Sequence, residues 1–157
     1  MKIRNAYPQE AEQLTRLALR SKSYWGYDDS FMLACKSALT VERQNLESDS
    51  SLFQVYILNN AIVGFYGLEF KNNTAELDYL FVEPEAMGKG VGKYLLNHAI
   101  KSLKSRGIAL LEILSDPGAK AFYLACGAEY VGLRNSDAIK GRQLPYLKLM
   151  VSESTLA

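Results

Sequence analysis

Three glycines within five residues, Gly88, Gly90 and Gly92, mark the segment of this sequence best suited to chemistry. It follows an apolar run that ends at Val82 and precedes an apolar pattern of helical spacing. Closely spaced glycines let the backbone curl so that successive N–H groups point inward. Such a loop at the start of a helix binds phosphate or pyrophosphate. We therefore predict an anion site here, with a glycine-rich turn that only caps the helix as the alternative.

Two common phosphate-binding motifs do not match this loop. The dinucleotide fingerprint GxGxxG, counted from Gly88, requires glycine at the position that Lys93 occupies. A P-loop requires GxxxxGK followed by Ser or Thr, whereas Met87 lies five residues before Gly92 and Tyr94 follows Lys93. Both motifs fail at required positions.

The loop resembles the coenzyme A loop of the GNAT family of N-acetyltransferases, which reads Gln or Arg, two residues, Gly, one residue, then Gly or Ala. Met87 takes the first position here, and a methionine side chain cannot donate a hydrogen bond to phosphate. The resemblance implies that backbone N–H groups hold the coenzyme instead. It assigns to this site the strand residues Leu80, Phe81 and Val82 and the loop residues Met87, Gly88, Lys89, Gly90, Val91, Gly92 and Lys93.

A second segment resembles the other motif of the family, which reads Asn, two residues, Ala, three residues, Tyr, then Gly one turn later. Asp116 takes the Asn position, while Ala119, Tyr123 and Gly127 match, and Phe122 completes the usual aromatic pair. The resemblance implies that Asp116, Ala119, Phe122 and Tyr123 contact the coenzyme. It also implies that Tyr123 is the general acid that protonates the departing thiolate, with a buried core tyrosine as the alternative.

Two further segments, Ser23–Tyr27 and Gly141–Pro145, resemble one bacterial branch of the family. Trp25 and Tyr27 are predicted to supply flat apolar walls for the acceptor, and Arg142 to pair with an acidic acceptor. Aromatic residues in a break between helices also pack against the core, so packing remains the alternative.

Acetyl transfer to an amine requires a base, because an alkyl amine with a pKa near that of lysine, about 10.4, is protonated at neutral pH. Alternation along the strand from Ala75 to Val82 predicts Glu76, Asp78 and Leu80 on one face. It places Leu77, Tyr79 and Phe81 on the other face. Asp78 is our first candidate for the base, followed by Glu76 and then by Glu69 on the neighbouring strand. Solvated strand carboxylates are the alternative.

The function implied by the resemblance is direct transfer of an acetyl group from acetyl-coenzyme A to a primary amine of a small molecule or peptide. A catalytically weak or inactive acyl-coenzyme A sensor of the same fold is the alternative, favoured by Met87 and Asp116 and opposed by Tyr123. A purely structural domain is a third possibility, in which the glycine loop is only a helix cap. The amine itself is left open.

Hydropathy patterns predict the elements that must position these residues. Apolar spacing predicts helices from Pro8, from about Asp29 to Leu46, from Val91 to Leu103 and over Ala119–Cys126. Extended runs occupy Lys2–Asn5, Leu52–Leu58, Ala61–Phe70, Ala75–Val82, Ala109–Leu114, Glu129–Arg134 and Gln143–Val151. Together they predict an α+β fold in α/β/α layers, with a mixed, mostly antiparallel sheet of about seven strands. The long helix makes a parallel crossover after the coenzyme loop, and helices cover both faces. Pro145 is expected at an edge or a bulge.

Composition limits the other function classes. A chain of 157 residues with 48% hydrophobic content can bury a core of its own, so we predict one domain spanning 1–157. The 18 Lys and Arg nearly balance the 17 Asp and Glu, so no net charge would draw the protein to nucleic acid or to an anionic membrane. The apolar runs fall far short of the roughly 20 residues that span a bilayer.

Cysteine and histidine content argues against a metal site. Cys35 and Cys126 lie far apart, and His98, the single histidine, is expected on the surface with no catalytic role. The charged and polar residues Lys2–Asn5 stand where a signal peptide has its apolar stretch, so a cytoplasmic location is expected. Edge strands near the C-terminus make a homodimer an open expectation.

Overall fold

The computed structural model describes residues 2–151 and contains seven strands and five α-helices. In chain order they are β1 (Lys2–Asn5), α1 (Ala11–Ser23), α2 (Asp29–Leu39), α3 (Arg43–Glu47), β2 (Ser51–Leu58), β3 (Ala61–Phe70), β4 (Thr74–Val82), α4 (Val91–Ser105), β5 (Leu110–Leu114), α5 (Lys120–Ala125), β6 (Glu129–Asn135) and β7 (Gln143–Met150). Single 3₁₀ turns occupy Pro8–Glu10, Pro84–Ala86 and Pro117–Ala119. Met1 and residues 152–157, which the single-domain prediction includes, lie outside the described residues.

All seven strands belong to one sheet in the order β1-β2-β3-β4-β5-β7-β6. Every neighbouring pair is antiparallel except β4 and β5, which are parallel and are connected by α4. The predicted mixed, mostly antiparallel sheet with one parallel crossover is confirmed. Within the described part of the chain, no helix is long and apolar enough to cross a membrane.

Each face of the sheet is covered by its own hydrophobic core. On one face, α1 and α2 contribute Leu14, Leu17 and Cys35 to a cluster with Phe65 of β3. On the other face, α4 and α5 contribute residues such as Leu95 and Tyr123 to a cluster with Leu111 and Leu147. Burial of apolar surface contributes a favourable free energy of roughly 25 cal/mol for each Å², so the two cores stabilise the layered arrangement. The predicted helices on both faces are thereby confirmed.

The helical pattern predicted from Asp29 to Leu46 is divided into two helices. Thr40, with ψ of 121°, ends α2 in an extended conformation, and α3 begins only at Arg43. The buried Val41 lies between them, and its N–H donates to the Thr15 hydroxyl at 2.8 Å. Apolar spacing alone did not reveal this break, because a buried residue in the connection continues the same pattern.

Pro145 lies in β7, which is an interior strand and not an edge. Its carbonyl accepts from the N–H of Ser115 at 2.8 Å, so its nitrogen faces the side on which β5 has already ended at Leu114. The missing N–H of proline therefore removes no bond with β5. Proline is tolerated here for the same reason as at an edge, because no neighbouring strand needs a hydrogen bond from its nitrogen.

A β-bulge in β4 reverses the side-chain alternation that the sequence predicted. Gly67 of β3 pairs with Tyr79 while Leu68 pairs with Leu77, so Asp78 is an extra residue without its own partner. Leu77 consequently packs on the α4 side, whereas Tyr79 and Phe81 pack on the α1–α2 side. The prediction that Leu77, Tyr79 and Phe81 share a face was wrong, as was the grouping of Leu80 with Glu76.

Candidate active site

The parallel pairing of β4 with β5 ends early and leaves an opening in the sheet. Leu77 and Ile113 are the last paired residues. Beyond them β4 stays paired with β3 as far as Val82, while Ser115 after β5 bonds to β7. The two strands therefore diverge, and the β4 backbone faces the gap without a strand partner on that side.

Two of the three predicted β4 N–H groups face this opening. The Glu83 N–H donates to the Val63 carbonyl at 2.8 Å, so it points toward β3. Because N–H direction alternates along a strand, the Phe81 N–H also points toward β3, and those of Leu80 and Val82 point into the gap. Of the three strand residues that the resemblance assigned to the coenzyme site, Phe81 therefore offers no N–H group to a ligand in the gap.

One open cavity of about 960 Å³ extends from the glycine loop through this opening to the α1–α2 side. Most of the residues singled out from the sequence line it, namely Trp25, Glu76, Asp78, Leu80, Phe81, Val82, Met87, Gly88, Gly90, Val91, Gly92, Lys93, Asp116, Ala119, Phe122, Tyr123 and Arg142. Lys89 instead lines a separate depression of about 400 Å³ with Glu83 and Glu85. Tyr27 and Glu69 lie behind the cavity wall, where they interact with Asp116 and Asp78, respectively.

The glycine loop begins α4 in a conformation that few other residues adopt. Gly88 and Gly90 have φ of 77° and 83°, in the left-handed region. Gly90 is the N-cap of α4, and no side chain caps the helix there, so the first-turn N–H groups remain open to a ligand. A Cβ built on Gly92 would lie 3.6 Å from the ring of Phe122, so the loop also packs against α5.

Tyr123 projects from α5 into the cavity and is only 7% exposed. Within residues 2–151 its hydroxyl group has no hydrogen-bond partner. Burial is the main cause that raises the pKa of this phenol above its ordinary value. Tyr123 therefore remains protonated at neutral pH and can donate to a group that enters the cavity.

Three carboxylates meet on the α1–α2 side of the opening. Glu69 and Glu76 are direct partners across β3 and β4, and Lys71 pairs with Glu76 at 2.6 Å. Asp78, on the bulge, lines the cavity and is exposed to it, while protein atoms of the wall replace part of its hydration shell. Burial, followed by the negative charges of Glu69 and Glu76, raises the pKa of Asp78 to about 7. No group of three metal-ligating side chains in the described ranges is arranged to hold a metal ion.

Asp116 is held by side chains from two distant segments. It accepts hydrogen bonds from the Tyr27 hydroxyl at 2.7 Å, Lys22 at 3.0 Å and the Gly118 N–H at 2.8 Å. The Arg142 guanidinium lies 3.6 Å from the same oxygen that Lys22 contacts. Burial acts to raise the pKa of Asp116, but these hydrogen bonds outweigh it and hold the pKa below its ordinary value.

The sequence analysis missed several residues of the cavity wall. Lys22 comes from the last turn of α1 and lines the cavity. The one feature of the sequence that could have indicated it is its position just before the helix break. Glu112 of β5 is the parallel partner of Glu76, and the Tyr146 hydroxyl of β7 donates a hydrogen bond to Glu112. Pairings between strands so far apart in the chain are not visible in local patterns.

His98 is half-buried and not on the surface as expected. Its Nδ1 lies 2.8 Å from the Tyr66 hydroxyl, on the α4 side of the sheet. It does not line the cavity. Packing of α4 against β3 accounts for its position.

Comparison with known proteins agrees with this geometry. The model of the acetyltransferase (GNAT) family matches residues 12–128, and the chain belongs to this family. An uncharacterized N-acetyltransferase of Methanocaldococcus jannaschii is 28% identical in an alignment of 149 positions that covers 88% of this chain. The match spans only 63% of the length of that archaeal relative.

Solved structures share the fold at lower identity. A PaiA N-acetyltransferase from Thermoplasma acidophilum in complex with coenzyme A has a TM-score of 0.81 and 20% identity, covering 95% of this chain and 98% of the other. An aminoglycoside 6'-N-acetyltransferase complexed with coenzyme A has a TM-score of 0.74 and 19% identity, covering 96% and 97%. The seven-stranded sheet is therefore the fold of this family.

Proposed function

We propose that this protein transfers an acetyl group from acetyl-coenzyme A directly to a primary amine of a small molecule or peptide. The observation that carries the proposal is the opening between β4 and β5. Around it, the Leu80 and Val82 N–H groups, the glycine loop and the Tyr123 hydroxyl, which has no hydrogen-bond partner among residues 2–151, line one cavity. Family membership and fold neighbours complexed with coenzyme A support the same conclusion.

The pyrophosphate of the coenzyme would lie against the N-terminus of α4. Backbone N–H groups from Gly88 to Lys93 offer the donors, and the helix dipole favours the negative charge. Met87 adds no side-chain hydrogen bond, so backbone geometry and the Lys93 charge supply the recognition. The pantetheine arm would follow β4 into the opening, with Ala119 and Phe122 as apolar contacts and Asp116 at the wall beyond them.

The chemistry assigns one role to each group. Asp78 takes a proton from the ammonium form of the acceptor, directly or through water, and the neutral nitrogen then attacks the thioester carbonyl carbon. The second proton of that nitrogen leaves through water as the amide forms. An N–H group of Leu80 or Val82 stabilises the oxyanion, an effect worth about 3 kcal/mol for one well-placed donor. The C–S bond then breaks, and Tyr123 gives its proton to the thiolate of coenzyme A. Glu76 and Glu69 support Asp78 by raising its affinity for a proton.

An acyl-coenzyme A sensor of the same fold is the competing function, and Met87 and Asp116 at positions where the family uses other side chains favour it. The two functions separate in a titration calorimeter followed by a thiol-release assay on the same sample. Acetyl-coenzyme A is titrated first, and a panel of small amines and lysine peptides is added next. Binding with release of free thiol supports the transferase, and binding without release on any acceptor supports the sensor. Absence of binding at millimolar ligand contradicts both.

A further inference from the structure

The cavity wall beyond Asp116 carries one more positive than negative charge. Lys22 and Arg142 both pair with Asp116, at 3.0 and 3.6 Å, and no other carboxylate within residues 2–151 forms an ion pair with either of them. All three side chains are mostly buried, with exposed fractions of 14%, 19% and 17% for Lys22, Arg142 and Asp116. Partly buried charges are screened less than surface charges, so the excess charge acts strongly on a ligand in the cavity.

Arg142 is held in a fixed orientation at this wall. Its guanidinium donates to the Tyr27 hydroxyl at 3.1 Å and lies 4.8 Å from the ring centre of Phe31. Phe31 and Tyr27 stack with their centres 4.1 Å apart. A guanidinium fixed in this way loses little conformational freedom when it binds an anion, and its remaining N–H groups suit a carboxylate.

The opposite charge lies further back along the same cavity. Asp78 follows the last paired residue of β4 by one position, and Asp116 follows the last paired residue of β5 by three. Counted along the direction of the strands, Asp78 and Asp116 are offset by two residues, or roughly 7 Å at 3.3 Å per residue, and the divergence of β4 from β5 adds a lateral separation. Glu76 and its strand partner Glu112 line the cavity near Asp78 and add to the negative charge there, whereas Arg134 and Asp137, which also line the cavity, are opposite in sign.

We infer that the acceptor is an amine that also carries an anionic group several bonds away, as in an ω-amino acid, and that Lys22 and Arg142 bind the anionic group. The inference rests on the proposed acetyl transfer and specifies its substrate class. The amine lies at Asp78 and the carboxylate at the Lys22–Arg142 end. A polyamine would instead bring a second positive charge to the positive end of the cavity and is disfavoured there.

The test uses acceptors with a primary amine at one end of a chain of similar length and with a carboxylate, a methyl group or a second amine at the other end. They are 6-aminohexanoate, hexylamine and cadaverine, assayed by thiol release at one pH with saturating acetyl-coenzyme A. We expect kcat/KM for 6-aminohexanoate to exceed those for hexylamine and cadaverine by about 10-fold or more, the usual effect of one charge-assisted hydrogen bond. Equal values, or a preference for cadaverine, would overturn the inference while leaving acetyl transfer intact.

Variants assign the preference to its residues. Arg142→Met should raise KM for 6-aminohexanoate about 10-fold and lower the ratio of kcat/KM for 6-aminohexanoate to that for hexylamine by a similar factor. Arg142→Lys should restore most of the preference, and Arg16→Met, on the exposed face of α1, should leave it unchanged. A preference that survives Arg142→Met places the anion elsewhere and contradicts the assignment. Coenzyme binding with thiol release on other amines but with none of these three acceptors also contradicts the inferred substrate class. Absence of thiol release with every amine, or absence of coenzyme binding by the unaltered protein, contradicts the proposed transfer itself.

Discussion

The hydroxyl of Tyr27 donates to the carboxylate of Asp116 at 2.7 Å, although the two residues are 89 positions apart. This bond connects the α1–α2 segment to the segment between β5 and α5. Arg142, from the segment between β6 and β7, joins the same group. Three loops that are remote in the chain are therefore fixed around one end of the cavity, and a carboxylate is the common acceptor.

Asp116→Asn should destabilise the protein by about 2 kcal/mol, because it weakens charge-assisted bonds and leaves Lys22 and Arg142 without a counter-charge. The pKa of Asp116 is lowered in the folded state, so its contribution is present above the pKa of the unfolded chain. That contribution disappears as the pH falls through the folded pKa. Urea unfolding at pH 7 and in acid measures both effects. Asp137→Asn, which breaks no ion pair within residues 2–151, is the control, and equal stabilities of the two variants at pH 7 would contradict the prediction.

Tyr123→Phe should lower kcat about 100-fold, because general acid catalysis contributes that much or more. The dissociation constant for acetyl-coenzyme A should change by less than about 2-fold, since the ring and its packing remain. Tyr66→Phe provides the matched control, because its hydroxyl bonds to His98 and Ser102 and not to the cavity. A normal rate in the Tyr123 variant would remove this residue from the mechanism.

Asp78→Asn should change how stability depends on pH. With its pKa raised to about 7, folded Asp78 holds a proton that the unfolded chain has already lost. Stability therefore falls as the pH rises from about 4 to about 7, and the variant should lack this part of the decline. Thermal unfolding across this range tests the effect, with Asp49→Asn in the exposed turn before β2 as the control. The same slope in the Asp78 variant and the unaltered protein would contradict a raised pKa.

Gly90→Val should abolish binding of acetyl-coenzyme A. Gly90 has φ of 83°, and left-handed backbone costs other residues about 1–2 kcal/mol. A Cβ there meets no protein atom within 4 Å, so the added side chain projects into the space that the pyrophosphate would take. Gly107→Val carries the same backbone penalty at φ of 72°, after the end of α4, and should retain binding. Calorimetric titration of both variants separates loss of the site from loss of stability, and retained affinity in the Gly90 variant would mean that the pyrophosphate lies elsewhere.

Local patterns were sufficient for much of the fold and for the glycine loop that begins α4. The apolar stripe from Val91 to Leu103 predicted α4, and Asn59 and Asn60 take the positive φ values of 52° and 65° expected of a tight hairpin turn. The glycine loop could be placed because backbone freedom and helix polarity depend on residues that are adjacent in sequence.

The end of the cavity at Asp78 and Asp116 depended on contacts that local patterns do not contain. The bulge at Asp78 lies where β4 remains paired with β3 on one side and its pairing with β5 has ended on the other. It changes the faces on which Leu77 and Leu80 lie from those that simple alternation assigned. Thr40 ends α2 although the apolar spacing continues.

The amino-acid sequence by itself determined the family resemblance, the strand and helix order and the glycine loop, since these follow from residue type and short-range spacing. Only the tertiary structure decided which carboxylates meet and how their charges are balanced. Lys22 reaches Asp116 across 94 positions, and Asp78 acquires its raised pKa from burial and from Glu69 and Glu76. Electrostatic energies depend on distance in space and on exclusion of water, and neither is fixed until the sheet and its helices have packed.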